Sequence, residues 1–458
     1  MPDARGTPVA WRLAAGVTLA GGLWLGFVAT GGRAARLAVL AAAATGLGSA
    51  IPIARASRRP PIAPRRTSGG AARSAARSGP TFTVVVACRD EATVLPRLIA
   101  DLAGQDHRSA AGRPLLELVV IDDRSTDGTA DAAARAAGAA GLETVLRLVR
   151  RTGSDLPDGK GAALTALAPS AYRGDVVVVL DADARIGPSF LSTLAHYVAA
   201  GADAITARRR ILEPRSSWLA GAQTDEQTVD GELQRGRWAL GGLSEFRGNG
   251  IVVRRDLLIE VGGWRSEALT EDLDLSSRIA AARGHGVAWA LDAEVWEEPV
   301  HDWRSLWRQR TRWAEGAIRR WLEHGPAVLR SARPTPRAKL DFATYGGQLL
   351  APPLLGGALA GAVVRRRWGT AALLVGGYAA AGAGLAWDAL RWETAADGGP
   401  LRARERSGRA LRAALFGGVW LAAVPAALWR LATRRGSVVY DKMTHSGSGS
   451  PAWEGSHR

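Results

Sequence analysis

Carboxylates recur at the ends of apolar runs in this chain. Val84-Val85-Val86-Ala87-Cys88 leads into Arg89-Asp90-Glu91, Val119-Val120-Ile121 into Asp122-Asp123, and Val176–Leu180 into Asp181-Ala182-Asp183. Short, β-branched apolar runs predict buried strands, so each acidic group is delivered to a strand's carboxyl end. Two carboxylates two residues apart, as in Asp181-Ala182-Asp183, can share a hard divalent cation, one directly and one through water. Such a cation neutralises a diphosphate and stabilises it as a leaving group. A solvated turn explains any one pair taken alone, and Ser125, Thr126 and Asp127 fit the cap of a following helix. Several strands ending the same way favour one shared site.

Three further groups add to this set. Asp158-Gly159-Lys160-Gly161 places a Gly-flanked lysine ahead of a helical stretch, where it can reach a phosphate, although the full phosphate-loop pattern is missing. Thr270-Glu271-Asp272, with Asp274 behind it, follows the Gly248-Asn249-Gly250 turn. A carboxylate there can take a proton from a hydroxyl, and the same residues fit the capped, acidic first turn of a helix. Gln309-Arg310-Thr311-Arg312-Trp313 lies in a stretch where Trp303, Leu306, Trp307, Trp313, Ala317 and Trp321 recur at roughly helical spacing among arginines. That pattern predicts an interfacial amphipathic helix, which accounts for the Trp and Arg but not for Gln309.

The elements that position these groups follow from the patterning. From Thr81 to about His324, strands alternate with helical stretches such as Ala92–Ala103 and Thr129–Ala137. This predicts an α/β domain with a largely parallel sheet and its site at the strands' carboxyl ends. Two apolar runs, Trp11–Thr30 and Leu37–Ile53, read as a transmembrane hairpin over residues 1–54. Residues 55–80 form a basic linker with Arg55, Arg58, Arg59, Arg65, Arg66, Arg73 and Arg77, expected on the cytoplasmic side. Beyond the catalytic region, Tyr345–Val364, Trp368–Leu390 and Leu411–Leu431 are candidate spans within residues 340–435, and residues 436–458 read as a disordered tail. Arg365–Arg367 falls on the side that the positive-inside rule disfavours.

Composition limits the function classes. The chain has 458 residues and a formal net charge of +16. The excess arginine borders apolar runs, which favours an anionic membrane surface over nucleic acid. The basic linker has no interleaved aromatics, and an aspartate-rich site repels phosphate unless metal is bound, so no nucleic-acid partner is expected. The single cysteine, Cys88, precludes an internal disulfide or a cysteine zinc site, and the seven histidines show no ligand spacing.

Taken in order, Asp122-Asp123, Asp181-Ala182-Asp183, Thr270-Glu271-Asp272 and Gln309-x-x-Arg312-Trp313 resemble the motifs of membrane-bound family 2 glycosyltransferases. These include cellulose, hyaluronan and poly-N-acetylglucosamine synthases and enzymes that glycosylate lipids. The resemblance covers roughly Thr81–Trp321. It implies a GT-A fold, an α/β nucleotide-diphosphosugar domain, flanked here by transmembrane helices. It also implies that Asp90, Glu91, Asp122, Asp123 and Lys160 meet the nucleotide, and that Asp181 and Asp183 bind the diphosphate through Mg or Mn. Asp272 would be the general base of an inverting transfer, with Glu271, Gln309, Arg312 and Trp313 at the acceptor and diphosphate end. The family often carries Asn-Glu where this chain has Asp90-Glu91, which puts a nucleotide role for Asp90 in question.

The expected reaction moves a sugar from a nucleotide sugar, with UDP the commonest carrier, to a lipid or glycan acceptor. The enzyme would sit in the inner membrane with its catalytic domain in the cytoplasm. The Ala/Gly-rich spans offer few polar or aromatic residues to line a sugar channel, which favours a lipid acceptor over a processive polysaccharide synthase. The intact acidic set argues against a scaffold that has lost activity.

Overall fold

A computed structural model describes residues 7–30, 50–56, 58, 79–153, 156–395 and 398–434. Its centre is an eight-stranded sheet in the order β3-β2-β1-β4-β7-β6-β8-β5. The strands are β1 Phe82–Cys88, β2 Leu116–Asp123, β3 Leu146–Arg151, β4 Val176–Leu180, β5 Arg185–Ile186, β6 Ala204–Ile211, β7 Ile251–Arg254 and β8 Ala288–Glu297. β1 pairs parallel with β2 and β4, β2 with β3, and β6 with β8, while β7 runs antiparallel between β4 and β6.

The apolar runs alternate between two packed layers. Val84, Val86, Leu118, Val120, Val176 and Val178 face one core, and Val85, Val119, Ile121, Val177 and Val179 face the other. A strand buried on both faces reads as a continuous apolar run, which is the pattern seen in these three strands. The first layer is covered by α2 Leu95–Ala103, α3 Thr129–Ala139 and α5 Phe190–Ala199. The second is covered by the short α4 Lys160–Leu164, by α7 Arg255–Glu260 and by α8 Glu271–Arg283. α2 starts at Leu95 rather than Ala92, because Asp90 turns at φ 50 and Pro96 occupies the first turn, where a missing N–H costs nothing.

The remaining helices are α6 Trp218–Ala239, α9 Trp303–Arg330, α10 Pro336–Gly346, α11 Ala351–Val364, α12 Trp368–Ala389 and α13 Ala403–Thr433, with α1 Val9–Ala29 at the start. Among the described residues, three helices are long and apolar enough to cross a membrane: Val9–Ala29, Trp368–Trp392 and Ala403–Thr433. The bent pair Pro336–Leu349 and Ala351–Val364 makes a fourth if it counts as one span. Most of the second apolar run, most of the basic linker and the whole tail lie outside the described residues. Residues 50–56 are helical and rest on α6, where Arg235 Nη2 donates to Ala56 O.

α1 and α11 run side by side in the same direction. A Cβ on Gly26 would stand 2.1 Å from Leu354 O, and one on Gly357 2.1 Å from Leu23 O, so each helix needs the other's glycine. Where they end together, Arg365 Nη1 donates to Phe27 O at 2.9 Å and Arg367 to Thr30 O. The arginines that the positive-inside rule disfavours thus satisfy the last carbonyls of α1.

Candidate active site

Three strand ends meet on one edge of the sheet. Cys88 is level with Asp122, and Val86 with Leu180, so the acidic turns after β1, β2 and β4 emerge side by side. The first two turns are tied together. Asp90 N–H donates to Ser125 Oγ at 2.9 Å, Glu91 N–H to Thr129 Oγ1 at 2.8 Å and Ala92 N–H to Asp127 Oδ2 at 3.0 Å. In return the Asp90 carboxylate accepts the Thr126 N–H at 2.7 Å. Asp90 therefore joins two loops, and Asp is among the few non-glycine residues that tolerate its positive φ. Asp122 accepts the Ser125 N–H at 3.0 Å. The charge of Asp123 is met by Arg124 at 2.9 Å and Arg151 at 2.7 Å. Arg124 also bonds Asp158 at 2.6 Å, which draws the Lys160 turn toward the β2 turn.

Lys160 joins that turn to the rest of the site. Its Nζ lies 2.5 Å from Asp181 Oδ1, 2.8 Å from Gly248 O and 3.6 Å from Glu271 Oε1. Asp183 is buried, and burial pushes its carboxyl well above the usual range, helped by Asp181, Glu297 and Glu298. This concentration of oxygen donors and negative charge suits a hard divalent cation, with Asp181 and Asp183 as the pair to hold it.

Glu271 and Asp272 open α8. Burial pushes Glu271 up to about 7, against the pull of Lys160. Asp272 is raised too, by burial first, with the Leu273 N–H, Arg247 and Lys160 opposing. The N-terminus of α8 rests on α9: a Cβ on Gly316 would meet Thr270 Cγ2 at 2.3 Å. The last motif lies on α9. Gln309 and Arg310 are buried, and Trp313 and Arg312 are partly buried. The Arg310 guanidinium covers the Trp313 ring at 4.3 Å, donates to Gln309 Oε1 and pairs with Glu226 of α6.

Sequence reasoning missed a connection between these motifs. Arg209 of β6 lies 5.5 Å from the Trp313 ring centre and bonds both carboxylate oxygens of Glu297, at 3.0 Å from Nε. Glu297 also accepts from Asn249 Nδ2 at 3.3 Å, and Asn249 Oδ1 accepts the Asp181 N–H at 3.1 Å. A continuous path thus leads from Trp313 through Arg209, Glu297 and Asn249 to the Asp181 turn. Nothing in the sequence marks Arg208-Arg209-Arg210 as turned inward, and the fold leaves each of them less than one fifth exposed. Among the described residues, one group, Asp274, Glu323 and His324, brings three ligand-type atoms within 4.8 Å of one another. Arg265 bonds Asp274 and Glu323, and Arg278 bonds Asp274, so that cluster is already neutralised.

A family model described as glycosyltransferase like family 2 matches residues 80–316, which is more than half of the chain. The chain belongs to this glycosyltransferase family. Among curated members, the beta-monoglucosyldiacylglycerol synthase of Nostoc sp. is 32% identical over 257 residues, 55% of this chain and 52% of that one. The poly-beta-1,6-N-acetyl-D-glucosamine synthase of Staphylococcus aureus is 24% identical over 246 residues, 51% of this chain and 54% of that one. The glycosyltransferase described here thus spans about half the length of the curated relatives it matches. Among solved structures, the mannosyltransferase PcManGT from Pyrobaculum calidifontis, in complex with GDP-Man and Mn2+, superposes with a TM-score of 0.56 at 23% identity. That match covers 85% of this chain and 98% of the mannosyltransferase, and it shares the mixed α/β GT-A fold.

Proposed function

We propose that the protein is a membrane-bound, inverting glycosyltransferase that moves a hexosyl group from a nucleotide diphosphosugar to a lipid acceptor. One observation carries the reading: the Lys160 ammonium contacts Asp181, Glu271 and the Gly248 carbonyl at once, bringing the turn after β4 and the first turn of α8, where Asp272 follows Glu271, to a single site. Asp122 and the loops around Asp90 and Glu91 receive the nucleotide. Asp181 and Asp183 hold a divalent cation, Mg or Mn, which when bound neutralises the diphosphate as it leaves. Asp272 takes the proton of the acceptor hydroxyl as its oxygen attacks the anomeric carbon and the bond to the diphosphate breaks. Gln309, Arg312 and Trp313 orient the acceptor, and the ring of Trp313 offers a flat surface for a sugar.

A lipid acceptor is favoured by what lies behind that motif. Ala314 and Ile318 of α9 pack on Ala15 of α1 and on Val424, Ala427, Leu428 and Leu431 of α13, which holds the helix that carries the motif against two long apolar helices. The curated glucolipid synthases among the relatives agree with this choice. The catalytic domain is assigned to the cytoplasmic side of the inner membrane, where nucleotide sugars are available.

The test is a membrane-fraction assay with a panel of radiolabelled nucleotide sugars, with and without EDTA, followed by partition between organic solvent and water. Label entering solvent only when metal is present supports the reading and identifies the donor. Label held in a high-molecular-weight aqueous fraction would make the protein a polysaccharide synthase instead.

A further inference from the structure

α13 is long and apolar enough to cross a bilayer, yet both of its ends are bonded to the catalytic domain. At its start Arg409 and Arg412 each meet the fully buried Asp225 of α6 at 2.7 Å. Midway, Trp420 Nε1 donates to Glu226 of α6 at 2.7 Å. At its end Arg434 reaches Glu315 of α9 at 3.3 Å, with Arg430 at 3.9 Å, and Glu315 is buried. Residues 409–434 of a helix rising 1.5 Å per residue cover about 37 Å, more than the hydrocarbon thickness of roughly 30 Å. Standing upright, α13 would carry Arg434 to the far side and away from Glu315.

α1 gives a second measure. Its end at Thr30 lies at the α11–α12 turn, held by Arg365 and Arg367. Its beginning lies against the end of α13: Arg12 Nε donates to Ala432 O at 3.3 Å, and Ala15 packs with Leu428 and Leu431. Arg319 of α9 reaches Thr7 at the same level, at 3.0 Å. The end of α13 is therefore level with the start of α1, on the side of the catalytic domain.

The outward face of α13 is an apolar stripe. Leu411, Leu415 and Trp429 are more than half exposed, at helical spacing, while Val424, Ala427 and Leu431 on the other face are buried. A helix with one face on a protein and a continuous apolar face turned away fits the boundary between headgroups and acyl chains. We infer that α13 lies along the leaflet facing the catalytic domain, with its Leu411–Leu415–Trp429 stripe in lipid and its C-terminus on the catalytic side. This rests on the reading of the protein as membrane-bound and replaces a spanning role for Leu411–Leu431.

Labelling of sealed vesicles of both orientations tests the inference and needs no turnover, so it stands apart from the proposed activity. Cys88 is buried and stays in place, with the parent protein as background. Gly408→Cys and Gly369→Cys put side chains in open space at the start of α13 and at the α11–α12 turn, and Thr433 is exposed. With a membrane-impermeant maleimide, Gly408→Cys and Thr433→Cys should label from one side and Gly369→Cys from the other. Thr433→Cys labelling together with Gly369→Cys would overturn the inference. Spin labels at Leu415, Ala422 and Trp429 should be accessible to oxygen over a water-soluble nickel chelate at one shallow depth. A depth that increases steadily along the helix, or protection from both quenchers by a covering protein segment, would equally refute it.

Discussion

A base that must accept a proton near neutral pH works best when its pKa is drawn up toward that pH. Burial does this to Asp272, and Arg247, Lys160 and Arg209 keep the shift from running further. kcat/KM should therefore fall as pH drops through the raised pKa of Asp272, because the protonated carboxyl cannot accept, and a pH-rate profile in vesicles would show that acid limb. Asp272→Asn should lower kcat by on the order of 10²–10⁴-fold and remove the limb, with nucleotide affinity kept. Asp183→Ala should instead weaken donor binding in a way that added Mn relieves, as a titration of nucleotide affinity against metal would reveal. The carboxylates of the turns after β1, β2 and β4 were legible in the sequence because each follows an apolar strand that fixes where its turn must lie. Arg209 and Glu297 were not, because nothing in the run Arg208–Arg210 marks which guanidinium faces inward. Glu297→Gln keeps the shape and removes the charge, so it should raise the metal concentration needed for half-maximal nucleotide binding. A change confined to thermal stability would leave the path from Trp313 to Asp181 without a part in binding.

α8 and α9 touch at Thr270 and Gly316, beside the proposed base and the proposed acceptor motif, and again where Asp274 meets His324 at 2.7 Å. Gly316 of α9 leaves room for Thr270, and a methyl group there would overlap Cγ2 at 2.3 Å. Gly316→Ala must move the first turn of α8, and with it Glu271 and Asp272. A displacement of about 1 Å of a positioned group costs on the order of 10²-fold in rate, so kcat should fall by about that factor while nucleotide affinity changes little. Gly408→Ala, which meets nothing within 4 Å, is the matched control and should act like the parent protein. The helical spacing of Trp and Leu announced α9 in the sequence as far as Trp321, and the helix continues to Arg330. Its contact with α8 was not readable: Thr270 lies more than one element away, and the contact depends on a residue with no side chain. The same holds for α13, whose apolar composition resembles a span while its polar ends, Arg409, Arg412 and Arg434, record contacts made only after folding.

At the scale of the molecule, buried charges fasten the catalytic domain to the apolar helices. Glu393, just after α12, pairs with Arg208 and Arg210 of β6 and with Arg409 of α13. Burial alone would raise its carboxyl, but Arg210, Arg208 and Arg409 outweigh that and hold it down at about 2, against an ordinary 4.5. A carboxyl whose folded pKa is depressed contributes stability above its unfolded pKa and loses it as pH falls through the folded value. A depression of that size corresponds to about 3 kcal/mol, present above pH 4.5 and lost progressively toward pH 2. Glu393→Gln should remove a similar amount at neutral pH, about 3 kcal/mol, because Arg208 and Arg210 would then be left to share Glu294 alone. Thermal unfolding in lipid nanodiscs measures this directly. The parent protein should lose stability between pH 4.5 and 2, whereas the variant should start lower and show a flatter dependence across that window. If the two curves run parallel, the Glu393 cluster adds nothing to that attachment. In that case the arginines at the start of α13 would serve only to satisfy Asp225.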